Sequence, residues 1–175
     1  MKDNTTCAFE QKAVEVRHAL EAGCYHCALA LALTFPDICG KIAYPEMQGK
    51  SQVGQRYKRW FKEYVRDFFR FYDASAVLID EEACYALRCA FLHEGTFDFK
   101  HSFIKRFHLH VDQDDKRFRH REKVTLYSDG IDIDVDVYEL CMDICHGAMN
   151  FYDSIEDKTL FQDDIIINVG KQNLS

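Results

Sequence analysis

The chain is poor in proline and has no long apolar run. Two prolines in 175 residues argue against long structureless linkers. No stretch approaches the roughly 18 apolar residues of a membrane-spanning helix, and residues 1–6 lack the apolar core of a signal peptide. The sequence also has no internal repeat and no low-complexity tract. These absences predict a cytoplasmic protein that has no membrane partner.

The composition is that of an ordinary globular protein with an uneven charge distribution. Because the chain is neither small nor predicted to be secreted, its eight cysteines are expected to be thiols and not a disulfide framework. The net charge of -7 argues against a general polyanion binder. Residues 100–123 nevertheless contain eight basic residues against four acids, whereas residues 129–164 contain eleven acids. A locally basic surface is therefore compatible with the acidic whole, and the acidic region could mask it or bind a partner.

Hydrophobic periodicity predicts helices in the first half of the chain. The predicted segments are 8–20, 24–35, 51–69 and 81–93. Pro36 is expected to kink the second segment, Ser51 to cap the third and Asp80 to cap the fourth. The second half begins with alternating residues over 103–111, which predict a strand. Residues 116–127 are expected to pair with it, and a turn at 128–130 leads to a strand over 131–135.

The last long helix is predicted to follow the strands. Asp136 and Glu139 have the spacing of a capping box for a helix that reaches about residue 155, and 165–169 is a final strand or an ordered tail. The expected fold is mainly α, a bundle of four to five helices with a small antiparallel β-hairpin or meander inserted before the last long helix. We expect a single domain over 1–175, with the bundle at 6–95 and 136–156 and the insertion at about 103–135.

The pair Arg88 and His93 is the strongest candidate for a functional site. The pair combines a permanent cation with a side chain that exchanges protons near neutral pH, at the end of one predicted helix. Gly95 follows and is the residue type that ends helices. Such a pair is suited to activating a hydroxyl group and stabilising a phosphate, and it equally fits two exposed polar residues without a function.

A helical wheel divides the fourth predicted helix into two faces. Ala83, Leu87, Ala90 and Phe91 form the face expected to enter the core. Tyr85, Cys89 and Leu92 lie on the other face, and Arg88 and His93 flank it about 140° apart. One helix alone would not bring both groups onto one phosphate. The wheel therefore predicts a homodimer in which two copies of this face form a seam.

Arg88, His93 and Gly95 resemble the Arg-x4–6-His motif of the HEPN superfamily, which lies near a helix end and is commonly followed by glycine. The resemblance covers residues 8–95, with the 136–155 helix as a further part, and not the β segment. It implies a helical bundle, a dimer and a metal-independent RNA-cleaving site without cofactor, in which Arg88 binds phosphate and His93 transfers protons. Many members act as toxins or in phage defence, which implies an antitoxin-like protein partner.

Cys89 is the reason for a second predicted function. Active members of the family often carry a polar residue directly after the arginine, and here that residue is Cys89. The alternative is a non-catalytic HEPN-like module that binds nucleotide, RNA or a protein, and a structural dimer without a ligand is the third interpretation. Cys89 lies one helical turn from His93 and also has the residue type of a nucleophile, although no oxyanion donor accompanies it.

Several other groups of residues each have a functional and a structural interpretation. Arg56, Lys58, Arg59 and Lys62 could bind an RNA backbone with Tyr57 or Trp60 stacking on bases, or form a solvated face above a buried aromatic stripe. The segments 24–27 and 141–146 contain cysteine and histidine in zinc-like spacings, or simply small buried thiols, and we predict no metal site. His108 and His110, with His101 and His120 nearby, fit a metal or RNA site, or a solvated hairpin.

Overall fold

The computed structural model describes residues 8–69, 79–94, 104–111, 124–127 and 130–162. Within these residues the chain forms six α-helices and three strands. The helices are α1 Ala8–Glu21, α2 Tyr25–Ala32, α3 Phe35–Ala43, α4 Val53–Tyr64, α5 Glu81–Cys89 and α6 Val137–Ser154. The strands are β1 Ile104–His110, β2 Val124–Tyr127 and β3 Gly130–Asp136. Short 3-10 turns cover Lys50–Gln52, Arg66–Phe69 and Lys158–Phe161. The prediction of a mainly helical fold is confirmed, and the segment 165–169 lies outside the described residues.

Two helix boundaries differ from the prediction. The segment predicted as one kinked helix is two helices, α2 and α3, which are separated at Leu33 and Thr34. Pro36 lies in the first turn of α3, where its missing N–H costs no helical hydrogen bond, so it starts a helix and does not kink one. Ser51 does not cap α4, because it lies inside the preceding 3-10 turn.

Two predicted helix caps are present. The carboxylate of Asp80 accepts a hydrogen bond from the Ala83 N–H at 2.8 Å at the start of α5. Asp136 accepts one from the Glu139 N–H, also at 2.8 Å, at the start of α6. Each cap satisfies a backbone donor that the first helical turn leaves unpaired.

Helix α6 lies at the centre of the bundle and contacts α1, α2, α3 and α4. Its residues Leu140, Cys141, Ile144 and Ala148 are fully buried. Gly147 permits a close approach to α4, since a Cβ atom at this position would lie 2.8 Å from the Tyr64 carbonyl oxygen. The same core includes Ile133 and Val135 of β3, so the sheet packs against the bundle.

The sheet is mixed, and the expected antiparallel meander is wrong. Its strand order is β1-β3-β2, in which β2 pairs with β3 in antiparallel orientation and β1 pairs with β3 in parallel orientation. The prediction assumed that strands adjacent in sequence pair with each other. However, β3 has the strictest apolar alternation, with Ile133 and Val135 fully buried, and it therefore takes the central position between both partners.

Helices α2 and α3 together form an apolar stretch of a length that the sequence was predicted to lack, so that prediction is wrong. By length and composition alone, the 19 residues Tyr25–Ala43 could cross a membrane. Of this stretch, 44% is buried inside the protein. A core helix of a soluble protein has the same composition, so the stretch carries no argument for a membrane.

Candidate functional site

Arg88 projects from α5 towards α3 and forms an ion pair with Asp37. Its Nη2 and Nε atoms both donate to Asp37 Oδ2, at 2.8 and 3.1 Å. The two side chains are only 16% and 22% exposed. Burial acts to lower the pKa of Arg88, but the Asp37 carboxylate raises it overall, so the guanidinium stays charged. The arginine is thus fixed in place by a residue that the sequence analysis did not select.

Asp37 has one oxygen that the ion pair does not use. Its Oδ1 atom is buried and has no hydrogen-bond partner among the described residues. A buried carboxylate oxygen without a donor is costly and uncommon in proteins, and such groups occur at sites that bind something further. Asp37 lies in the first turn of α3, directly after Pro36. No local signal in the sequence pairs it with Arg88.

The chain continues from α5 into a π-helical turn, Ala90–Glu94, instead of the α-helix predicted as far as His93. A π turn joins residues five apart by hydrogen bonds, so each residue turns the backbone by a smaller angle than in an α-helix. The angle between Arg88 and His93 about the axis is therefore smaller than the roughly 140° of a continuous α-helix. A single chain therefore comes closer to placing the two residues on one side of this segment than the helical wheel predicted. The His93 side chain and Gly95 lie outside the described part of the chain.

The core face of this segment is buried as predicted, with Ala83, Leu87 and Ala90 at most 4% exposed. Phe91 is partly buried, and its ring stacks on His26 of α2 with 6.0 Å between the ring centroids. This contact holds the π turn against the bundle.

The predicted dimer seam is half-covered within the chain. Tyr85 packs on Tyr57 of α4, with 5.3 Å between the ring centroids, and a Cβ atom at Gly54 would lie 2.8 Å from the Tyr85 ring. Burial raises the pKa of Tyr85, and a contact with Cys89 adds to the increase. Cys89 and Leu92 are also half-buried. Part of this face therefore contacts the chain's own helices, and its three side chains stay partly accessible to solvent.

The four basic residues predicted to bind RNA all have partners within the chain. Arg56 donates to the Met47 carbonyl at 2.9 Å. The other three form ion pairs with glutamates at 2.9, 3.4 and 3.8 Å, namely Lys58 with Glu82, Arg59 with Glu46 and Lys62 with Glu81. Tyr57 and Trp60 are fully buried, so of the two interpretations the one in which they stack on bases does not hold. The structural interpretation, a solvated basic face above a buried aromatic stripe, describes α4 better.

The two cysteine segments differ from each other. Cys24 and Cys27 are exposed, which contradicts the interpretation of both segments as buried thiols, whereas Cys141 and Cys145 are buried. His146 is exposed and its ring lies 6.5 Å from that of Phe68. Within the part of the chain that the structure describes, no three His, Cys, Asp or Glu side chains are arranged to hold a metal ion.

His108 and His110 lie on β1, while His101 and His120 fall outside the described residues. The two described rings both contact aspartates of β3, which the sequence analysis treated only as part of an acidic region. The strict alternation of apolar residues and aspartates over 131–136 was the available signal, because it places all three carboxylates on one face of the strand.

No family model, curated protein or solved structure matches this chain. The resemblance to the HEPN superfamily therefore rests on Arg88, His93, Gly95 and the helical bundle alone.

Proposed function

We propose that this protein is a HEPN-like homodimer that cleaves RNA without a metal ion or cofactor, in a toxin or phage-defence setting with an antitoxin-like protein partner. The observation that carries the proposal is Arg88, a mostly buried cation that Asp37 holds directly before the π turn containing His93. Single π turns are rare and occur frequently at functional sites. A fixed guanidinium beside a histidine supplies a phosphate-binding cation and a proton-transfer group in one short segment.

In this mechanism Arg88 binds the scissile phosphate, and its charge stabilises the negative charge that builds there during attack. His93 transfers protons between the ribose 2′-hydroxyl, the leaving oxygen and solvent. In a dimer, two His93 residues could divide the acid and base functions between them. The half-buried face formed by Tyr85, Cys89 and Leu92 would contribute the contact between the two chains through its accessible part.

The test is an RNA-cleavage assay on the parent, on Arg88→Ala and on His93→Ala, with several RNA classes as substrates. We expect each variant to cleave about 100-fold more slowly or worse, since removing one general acid–base or charge-stabilising group costs that much. Arg59→Ala is the matched control, because Arg59 is an ion-paired arginine on the outer face of α4. Cleavage by both site variants at the parental rate would overturn the proposal.

A second function has support from one observation. The Asp37 carboxylate neutralises the Arg88 charge within the chain, which weakens the attraction of this site for a phosphate. A non-catalytic HEPN-like module would keep Arg88 as a structural residue and bind nucleotide, RNA or a protein. Parental protein that cleaves no RNA but binds it in a gel-shift assay supports this function.

A further inference from the structure

The start of helix α2 carries two cysteines in a Cys-x-x-Cys spacing. Cys24 is the N-cap residue of the helix, and Cys27 lies in its first turn. Among the cysteines that the structure describes, these two are the exposed ones, and the others are buried or half-buried. We call Cys24 and Cys27 the dithiol pair. Neither residue belongs to the hydrophobic core or to the Arg88 segment, so the proposed RNA-cleaving site does not use them.

The backbone of Cys24 is bonded to the helices on both sides. Gly23 has a φ of 73°, which glycine adopts without strain, and its N–H donates to the Leu20 carbonyl at 3.1 Å. The Cys24 N–H donates to the Ala19 carbonyl at 2.7 Å, which completes the end of α1. The Cys24 carbonyl accepts from the Ala28 N–H at 3.0 Å and begins α2. The position of Cys24 is therefore fixed by its backbone, and its side chain is the part that can rotate.

The turn that carries Cys27 is anchored on the bundle. Ala28 and Leu29, the next two residues of α2, are at most 1% exposed. The ring of His26, between the two cysteines, stacks on that of Phe91 with 6.0 Å between the centroids. These contacts hold the turn against the protein, whereas both cysteines stay open to solvent.

The two cysteines are close enough to be bridged. The residues between them, Tyr25 and His26, are both helical. The backbone angles of these two residues set the distance between the Cα atoms of the cysteines, which helix geometry places at about 5 Å. This distance lies within the roughly 4.4–6.8 Å that disulfides span. The side chain of a helical residue also lies over the preceding turn, so that of Cys27 is directed back towards Cys24.

A structural interpretation of the dithiol pair leaves both thiols unexplained. Free cysteine usually acts as a small buried apolar side chain, as Cys141 and Cys145 do here. Cys24 and Cys27 are exposed, and Cys24 makes no cap hydrogen bond with its side chain. Its Sγ atom lies 4.0 Å from the Ala22 carbonyl oxygen, which is the limit of a weak contact. Accessible thiols in this position are available for exchange chemistry.

We propose that the dithiol pair is a reversible redox site whose substrate is a small disulfide of the glutathione class. One cysteine, as the thiolate, attacks a sulfur of that disulfide, forms a mixed disulfide and displaces one glutathione thiolate. The other cysteine, as the thiolate, attacks the sulfur of the first, forms the bond between Cys24 and Cys27 and displaces the second glutathione thiolate. The two thiol protons pass through solvent to the displaced thiolates. The protein loses two electrons and the glutathione disulfide gains them, so no further oxidant is needed.

The short spacing determines which product accumulates. A second thiol tethered in the same turn acts at an effective concentration of about 1 mM, so it closes the disulfide about 100-fold faster than external thiol at about 10 µM reverses the first step. The parent should therefore pass through the mixed disulfide without retaining it. A variant with one cysteine of the pair has no second thiol in reach and should stop there.

The test treats the native full chain with glutathione disulfide under argon, blocks free thiols with N-ethylmaleimide and digests with chymotrypsin. Cleavage after Tyr25 separates Cys24 from Cys27 unless a disulfide joins the two peptides, and mass spectrometry identifies that link. In the parent we expect joined peptides that carry no glutathione and that separate on reduction. Cys24→Ser and Cys27→Ser should each hold one glutathione on the remaining cysteine, with a lifetime about 100-fold longer than in the parent.

Cys89→Ser is the matched control, since it removes a half-buried thiol outside the pair and should leave the internal disulfide in place. Stable glutathione on Cys24 or Cys27 of the parent without a link between them overturns the proposal. A native parent in which both cysteines stay reduced, while the same cysteines react in urea-unfolded protein, overturns it as well. The assay contains no RNA, so its result is independent of the Arg88 proposal.

Discussion

Arg88 and Asp37 are 51 residues apart in the chain and form a mostly buried ion pair with a shortest N–O distance of 2.8 Å. The pair joins α5 to α3 across the bundle. It also explains why the candidate arginine has a fixed position, since both donors of one guanidinium edge bind the same carboxylate oxygen. Hydrogen bonds between charged groups that water reaches poorly are the stronger class of such interactions.

We expect Asp37→Asn to lower the free energy of unfolding by about 1–3 kcal/mol, because it leaves a largely buried guanidinium without its charged acceptor. Urea unfolding followed by circular dichroism measures the effect. Glu82→Gln is the matched control, since it removes the charge of an exposed partner of Lys58 and should cost less than about 1 kcal/mol. Equal effects of the two substitutions would show that Asp37 contributes no more than a surface acid.

Gly54 is needed for the position of Tyr85. A Cβ atom at Gly54 would lie 2.8 Å from the Tyr85 ring, which also packs on Tyr57. Gly54→Ala should therefore destabilise the protein by about 1–3 kcal/mol through overpacking. In a Tyr85→Ala background the same change should become neutral or stabilising, because only the better helix propensity of alanine remains.

A double-mutant cycle by urea unfolding measures this coupling. Gly147→Ala provides the control, since its Cβ atom would lie 2.8 Å from the Tyr64 backbone oxygen and 2.5 Å from Val65, not from Tyr85. Gly147→Ala should lower the free energy of unfolding by the same amount with and without Tyr85→Ala. If Gly54→Ala lowers the free energy of unfolding by the same amount with and without Tyr85→Ala, the close contact between Gly54 and Tyr85 is contradicted.

Local signals in the sequence predicted the helices well. The caps at Asp80 and Asp136 and the core face of Ala83 and Leu87 follow from residues within one or two turns of each other. Such signals depend on short-range geometry, which the sequence contains directly. The break between α2 and α3 was harder to predict from the sequence, because Pro36 is compatible both with a kink and with a helix start.

The parts of the candidate sites that depend on contacts between distant segments could not be predicted. Nothing near Asp37 indicates that it binds Arg88, and the parallel pairing that places His108 beside Asp132 joins strands that are not consecutive. The π turn after Cys89 also differs from α-helix without a sequence signal, since Ala90, Phe91 and Leu92 are compatible with both. These features arise from packing and not from local propensity.

The buried thiols predict the response to high pH. Burial raises the pKa of Cys84 and of Cys145 to about 12 from an ordinary value of 9.0. A group whose pKa is raised by folding stabilises the protein fully below its unfolded pKa, and this contribution is lost as the pH rises towards the folded value. The free energy of unfolding should therefore fall between about pH 9 and pH 12.

Urea unfolding as a function of pH tests this expectation, and Cys145→Ala should make the alkaline decrease less steep. In the native protein, Cys24 and Cys27 should react with a thiol reagent at once, because they are exposed, whereas Cys84 and Cys145 should react only after unfolding. Rapid reaction of either buried thiol under native conditions would contradict their burial.

Mixing two inactive variants tests whether the Arg88 site needs two chains. Arg88→Ala and His93→Ala are each expected to be inactive as pure proteins. If each site combines Arg88 of one chain with His93 of the other, subunit exchange between the two variants rebuilds one intact site in every mixed dimer, so cleavage returns. If the π turn brings both groups together within one chain, every chain in the mixture has a defective site and cleavage stays absent.

The assay uses long RNA after exchange in mild urea, and parent protein treated in the same way controls for refolding. Sedimentation velocity checks the dimer itself, and a parent that sediments as a monomer while cleaving RNA would rule out the two-chain site.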